Sequence, residues 1–261
     1  MRSPTGLDMK TLLDTCKRWR FLILLGMLLV TLVVEPILLG FSASPVWFDA
    51  LFLLVTVALL FSFTLDKKWR TAAYTLGITS ALLSLGGHLF AAREPGVVLL
   101  VGHFTAAVLL LLGLAVIVQT ILVSPKLTLD SVFGAICGYL LLGMAWALLY
   151  SVIDSLSPGS FAVSNELAEY AEHGRARIQL LIYYSFVTLT TVGYGDVTPV
   201  TAAARTSAWV EAMTGQFYLA VLVAGLVGAL MSNGGIRYGA PGLRTADRSV
   251  TNRSELERPT Q

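Results

Sequence analysis

Apolar and polar positions along this chain alternate on the scale of a membrane, not of a helical turn or a strand pleat. Asp, Glu, Lys and Arg are confined to short islands, and residues 71–92, 95–125, 131–153 and 212–236 contain none of them. Each run reaches or exceeds the roughly 18–20 residues that cross hydrocarbon as a helix. Two further apolar segments, Phe21–Leu39 and Val46–Leu65, are broken only by Glu35 and by Asp49 near the start of the second. The pattern predicts an all-α membrane protein with six transmembrane helices. A seventh apolar stretch, Ile178–Leu189, is too short to cross and predicts a half-length helix between the fifth and sixth spans.

Lysine and arginine collect on the cytoplasmic side of short loops. With the N-terminus inside, only Arg93, Arg175, Arg177 and Arg205 of the 18 basic residues fall outside. Both termini are therefore expected in the cytoplasm of a cell that carries the chain in its plasma membrane. The domains that follow are a cytoplasmic segment at 1–20, a four-helix membrane domain at 21–123, a two-span domain at 124–235 and a tail at 236–261. That tail, rich in Arg, Thr, Ser and Pro, reads as disordered.

Composition agrees and excludes other classes. The 261 residues are 56% hydrophobic and 13% charged, against about a quarter charged in soluble domains. The net charge of +2 arises from topology and offers no case for nucleic acid; the lipid bilayer is the expected surrounding, with no soluble partner. Lys17, Arg18 and Arg20 before the first apolar run imitate a signal peptide, but the run is long for one. Cys16 precedes the first span and Cys137 lies inside the fifth, so no disulfide or metal site is expected. No nucleophile–base constellation or phosphate loop appears, so an enzyme is not expected.

The long outside segment, Asp154 to Pro199, holds the most informative residues. It opens with Ser157-Pro158-Gly159, turn chemistry, and Ser164 or Asn165 could cap a short helix carrying Glu166, Glu169 and Glu172. After the half-length helix comes Thr190-Thr-Val-Gly-Tyr-Gly-Asp196. Irregular backbone at membrane depth is tolerated only where it lines a cavity or is buried in protein. An extended run points successive carbonyls one way only if its dihedrals alternate in sign, and Gly193 and Gly195 allow positive φ without a Cβ penalty. Carbonyl rows from several chains can replace the water shell of a cation. The negative C-terminal end of the half-helix favours a cation nearby.

The run from Tyr183 through Tyr194-Gly195-Asp196 to Pro199 resembles the pore signature of potassium channels, and the resemblance extends through Arg205 and Gly215-Gln-Phe-Tyr218. It covers Leu129 to Ser232. The resemblance implies a re-entrant pore helix and selectivity filter between helices 5 and 6, and a homotetramer, since one chain carries one motif. It implies potassium as the permeant ion, bound at Thr191, Val192, Gly193 and Tyr194, with Gly195 completing the filter. Thr190 and Asp196 would support it. Tyr183 and Tyr184 stand where many relatives carry a tryptophan pair; their phenols could bond Asp196 or a neighbouring backbone, a Tyr184 bond to Asp196 being one of these readings. Gly215 falls where such channels often bend, or marks a close helix contact. Leu219, Val223 and Val227 recur at i+4 and could line the inner cavity. Glu211, offset from that line, is expected behind the pore helix.

The first four spans occupy the place of a voltage sensor, yet Val97–Val123 contains no Lys or Arg. Gating by voltage is expected to be weak or absent. His88, His103 and His173 fall on the outer side with Glu35, Asp49 and Glu94, and an external proton or metal sensor is one reading of them. The alternatives to a conducting channel are a chance glycine turn outside the membrane, a non-conducting or regulatory channel subunit, and a potassium transporter.

Overall fold

In a computed structural model the described residues are 19–40, 53–60, 67–89, 95–123, 128–165, 167 and 174–232. They form α1 (Arg20–Gly40), a helical segment at 53–60, α2 (Lys67–Leu89), α3 (Pro95–Val123) and α4 (Leu129–Leu156). Then follow β1 (Phe161–Val163), α5 (Gly174–Leu189), β2 (Val197–Pro199) and α6 (Ala202–Phe217). A π-helical segment, Tyr218–Val223, joins α6 to α7 (Ala224–Ser232). Among the described residues three helices are long and apolar enough to cross a membrane: Val97–Val123, Leu129–Leu156 and Ala202–Gly228.

The core forms around α4. It packs against α3, α5, α1 and α6, while α2 packs on α3. Leu141, Ala145 and Leu148 of α4 join Leu24 and Leu28 of α1 and Leu109, Leu110 and Ile117 of α3 in one apolar cluster. Close approach here relies on small residues: a Cβ at Gly113 would lie 2.7 Å from Leu59 of the 53–60 segment. The first N–H groups of any helix lack intrahelical partners. Asp130, in the first turn of α4, meets that need for α1 by accepting from the Phe21 N–H at 3.3 Å.

A second, smaller cluster sits at the other end of α4 and joins Tyr150, Phe161, Leu181, Tyr184, Val197 and Ala204. Its rim departs from the all-helical expectation. β1 and β2 pair antiparallel, with Phe161 opposite Pro199 and Val163 opposite Val197, and Val200 N–H to Ser160 O extends the ladder at 2.8 Å. Strands of three residues carry no period that a pattern could reveal. The half-length helix also starts earlier than its apolar stretch, at Gly174 instead of Ile178. Arg177 in its first turn grips Asp154 at the end of α4 through two bonds of 2.8 and 3.0 Å and donates to Phe161 O at 2.9 Å. Most of the acidic helix expected after Ser164 lies outside the described residues, as do segments 1–18 and 233–261.

The last span is the least covered. Of its most apolar stretch 22% is buried within the chain, against 61% for α4. Trp209, Met213, Phe217 and Val221 stand exposed along it.

Candidate functional site

The 190–196 loop hangs from the C-terminal turn of α5. Thr190 N–H donates to Phe186 O at 3.0 Å, Thr191 N–H to Thr188 O at 2.9 Å, and Val192 N–H to Val187 O at 2.9 Å, with Gly193 N–H at 3.4 Å from the same oxygen. These bonds satisfy the orphan carbonyls that end every helix and occupy the N–H groups of residues 190–193. The loop's own carbonyls are left over. Among the described residues no donor reaches the carbonyl oxygens of Thr190 to Gly195.

Backbone conformation sets how those carbonyls are disposed. φ is +60° at Thr191, +60° at Gly193 and +81° at Gly195, while Val192 and Tyr194 between them keep negative φ. The sign thus alternates residue by residue, with glycine at two of the three positive positions. The third is threonine. A β-branched residue at positive φ is an outlier, costing of order 1–3 kcal/mol and kept only where surroundings over-determine it. The sequence reading assigned positive φ to the glycines and missed Thr191. Val192 and Tyr194 are 51% and 71% exposed, so the loop's outer face is largely uncovered within its own chain.

Asp196 closes the loop. It accepts from the Tyr183 hydroxyl at 2.6 Å and from the Val197 N–H at 3.0 Å, and its carbonyl takes the Ser164 N–H at 2.8 Å. Tyr183 also stacks parallel to Tyr194, centroids 6.5 Å apart. Behind α5, Glu211 of α6 bonds the hydroxyls of Tyr150 and Ser185.

A family model described as "Ion channel" matches residues 135–232. Protein LctB of Bacillus caldotenax is 34% identical over 101 residues, covering 38% of this chain and 71% of that protein. The chain belongs to the ion channel family. No solved structure matches it. The family match runs from α4 to α7 and leaves α1, α2 and α3 outside.

Around the loop of this ion channel chain the structure distinguishes between readings that the residues left open. Tyr183, not Tyr184, reaches Asp196; Tyr184 turns inward, its ring 5.2 Å from Tyr150 and 5.3 Å from Phe161. Successive helical residues point about 100° apart, so only one of the pair can face the loop. Gly215 marks a close contact: a Cβ there would lie 2.7 Å from Leu189 Cδ1 and 2.8 Å from the Leu189 carbonyl oxygen. The departure from regular α-helix comes three residues later, in the π-helical Tyr218–Val223. That wider turn disrupts the i+4 register of Leu219, Val223 and Val227. Leu219 and Val227 are exposed, whereas Val223 packs against the main core. Thr190 turns its hydroxyl back to Phe186 O at 2.6 Å.

Of the outer-side histidines, the side chains of His88 and His173 lie outside the described residues, as do those of Glu35, Asp49 and Glu94. His103 Nδ1 shares a 2.9 Å bond with Ser151 Oγ of α4. Sequence reasoning missed the Arg177–Asp154 pair entirely. Opposite charges at the two ends of the polar insert were its only signal.

Proposed function

We propose that this ion channel chain is one subunit of a homotetrameric, potassium-selective pore in the cell membrane. Four copies of Thr191–Gly195 line its axis, and potassium sits at Thr191, Val192, Gly193 and Tyr194. One observation carries the reading: a row of carbonyls with no donor among the described residues, on a backbone whose φ alternates in sign. Such oxygens can take over the hydration shell of a cation. In a single chain they would remain unpaired, which is costly away from water.

The uncovered apolar face of the last span supports assembly with further copies. The loop is re-entrant in this reading, α5 entering from the outside and β2 leaving again, between helices 5 and 6 of a six-span subunit with both termini in the cytoplasm. The expected helix near 46–65 is described only over 53–60, where it packs on α3. With no Lys or Arg along Val97–Val123, conduction is voltage-insensitive or weakly voltage-dependent.

Purified protein in planar bilayers, with potassium on one side and sodium on the other, tests this directly. The reversal potential is expected near the potassium equilibrium value. A reversal near zero refutes selectivity, and tetramers that pass no current indicate a non-conducting subunit.

A further inference from the structure

Glu211 is fully buried, and ion conduction as described gives it no task. Its Oε2 accepts from the Tyr150 hydroxyl of α4, and its Oε1 bonds the Ser185 hydroxyl of α5. Ser185 Oγ also lies 2.7 Å from the Gly143 carbonyl oxygen on α4. Among the described residues these are the partners in the network, and none is a cation.

Counting hydrogens decides its state. A serine hydroxyl carries one hydrogen, and a carbonyl only accepts. Gly143 therefore takes the Ser185 hydrogen, and the hydrogen in the Ser185–Glu211 bond has to come from the carboxyl. The surroundings agree, because burying an ionised carboxylate without a cation is far costlier than burying a neutral acid that is hydrogen-bonded. We propose that Glu211 is held as a neutral carboxylic acid donating to Ser185, and that it is a positioning residue for the filter. The bonds then run in one direction, from Tyr150 to Glu211 to Ser185 to Gly143, and tie α6 and α4 to α5.

The filter feels this tie through α5. Ser185 precedes Phe186, Val187 and Thr188, whose carbonyls hold the N–H groups of residues 190–193. At the same level a Cβ on Gly143 would lie 2.7 Å from Phe186 Cε1, so α4 and α5 touch backbone to ring where the network closes. A displaced Ser185 would carry the whole final turn with it. The role in the filter rests on the conduction reading above, whereas the proton on Glu211 does not.

Glu211→Gln is the informative variant. A glutamine can donate its NH2 to Ser185 and accept from Tyr150, reproducing the neutral acid bond for bond. Infrared spectra of the full-length protein in liposomes near neutral pH should show the carbonyl band of a protonated carboxyl, absent from Glu211→Gln. Potassium flux in Glu211→Gln should stay within about twofold of the parent, while Glu211→Leu, which leaves the Tyr150 hydroxyl without its acceptor and Ser185 without its donor, should lose roughly tenfold or more. Should Glu211→Leu fail to assemble, Ser185→Ala serves instead: removing the acceptor should shift the carboxyl band. Absence of the band in the parent protein overturns the proposal, as does an unshifted band in Ser185→Ala. Equal loss of flux in Glu211→Gln and Glu211→Leu overturns it too. The band is read without conduction, so a protein that shows it but passes no potassium contradicts the channel reading and not the protonated acid.

Discussion

Replacing Gly193 by alanine isolates what the backbone of the loop requires. In the structure nothing lies within 4 Å of a Cβ built at this position, and φ is +60°. Any penalty is therefore conformational within the chain, not steric. Holding an L-residue in left-handed geometry costs about 1–2 kcal/mol, well below the 5–15 kcal/mol by which typical domains are stable. The subunit should fold. In the proposed fourfold pore the penalty repeats, which would disfavour the filter by about 4–8 kcal/mol. At 1.4 kcal/mol per tenfold, its equilibrium weight falls by about 10^3 to 10^6. The assay pairs size-exclusion chromatography with potassium flux into liposomes and the reversal potential under asymmetric potassium and sodium. Tetramers of normal size with selective current lost are expected. A matched control is Gly26→Ala in α1, where the Cβ is equally free and φ is not positive, and where alanine gains up to about 1 kcal/mol of helix propensity. Selective current that survives Gly193→Ala would refute the claim that the alternating backbone is what conducts.

Tyr183→Phe removes the bond to Asp196 and should hasten the loss of current during sustained opening, whereas Tyr184→Phe, whose ring packs inward, should change this rate less; equal rates in both would contradict the assignment. Gly215→Ala drives a methyl against the Leu189 carbonyl oxygen, a backbone atom that cannot swing aside, and should cost about 1–3 kcal/mol, read as a lowered unfolding temperature. Open probability measured from strongly negative to strongly positive voltages should yield an apparent gating charge below about four per tetramer, since steep gating takes three or four charges in each subunit; a larger value would reveal a sensor elsewhere in the chain.

Much of the site is legible in the residues themselves, and physical reasons separate it from the rest. Exclusion of charge from long runs follows from the cost of ions in hydrocarbon, a property of each side chain wherever the chain goes, so the membrane-spanning character of 95–125 and 131–153 needs no coordinates. Glycine is the residue that adopts positive φ without penalty, which is why Gly193 and Gly195 announce an unusual backbone in advance. Thr191 does not, because its positive φ is imposed by the N–H bonds that tie the loop to α5 and not by its own preference. Which tyrosine meets Asp196 depends on the rotation of α5 about its axis, and that is decided by where Leu181, Tyr184 and Leu189 find apolar neighbours. The partners of Glu211 lie 26 and 61 residues away in sequence. No local pattern encodes such separations. They exist only once α4, α5 and α6 pack side by side, and the same packing, by crowding Gly215 against Leu189, determines that this glycine is a contact while the helix departs from α geometry at Tyr218–Val223.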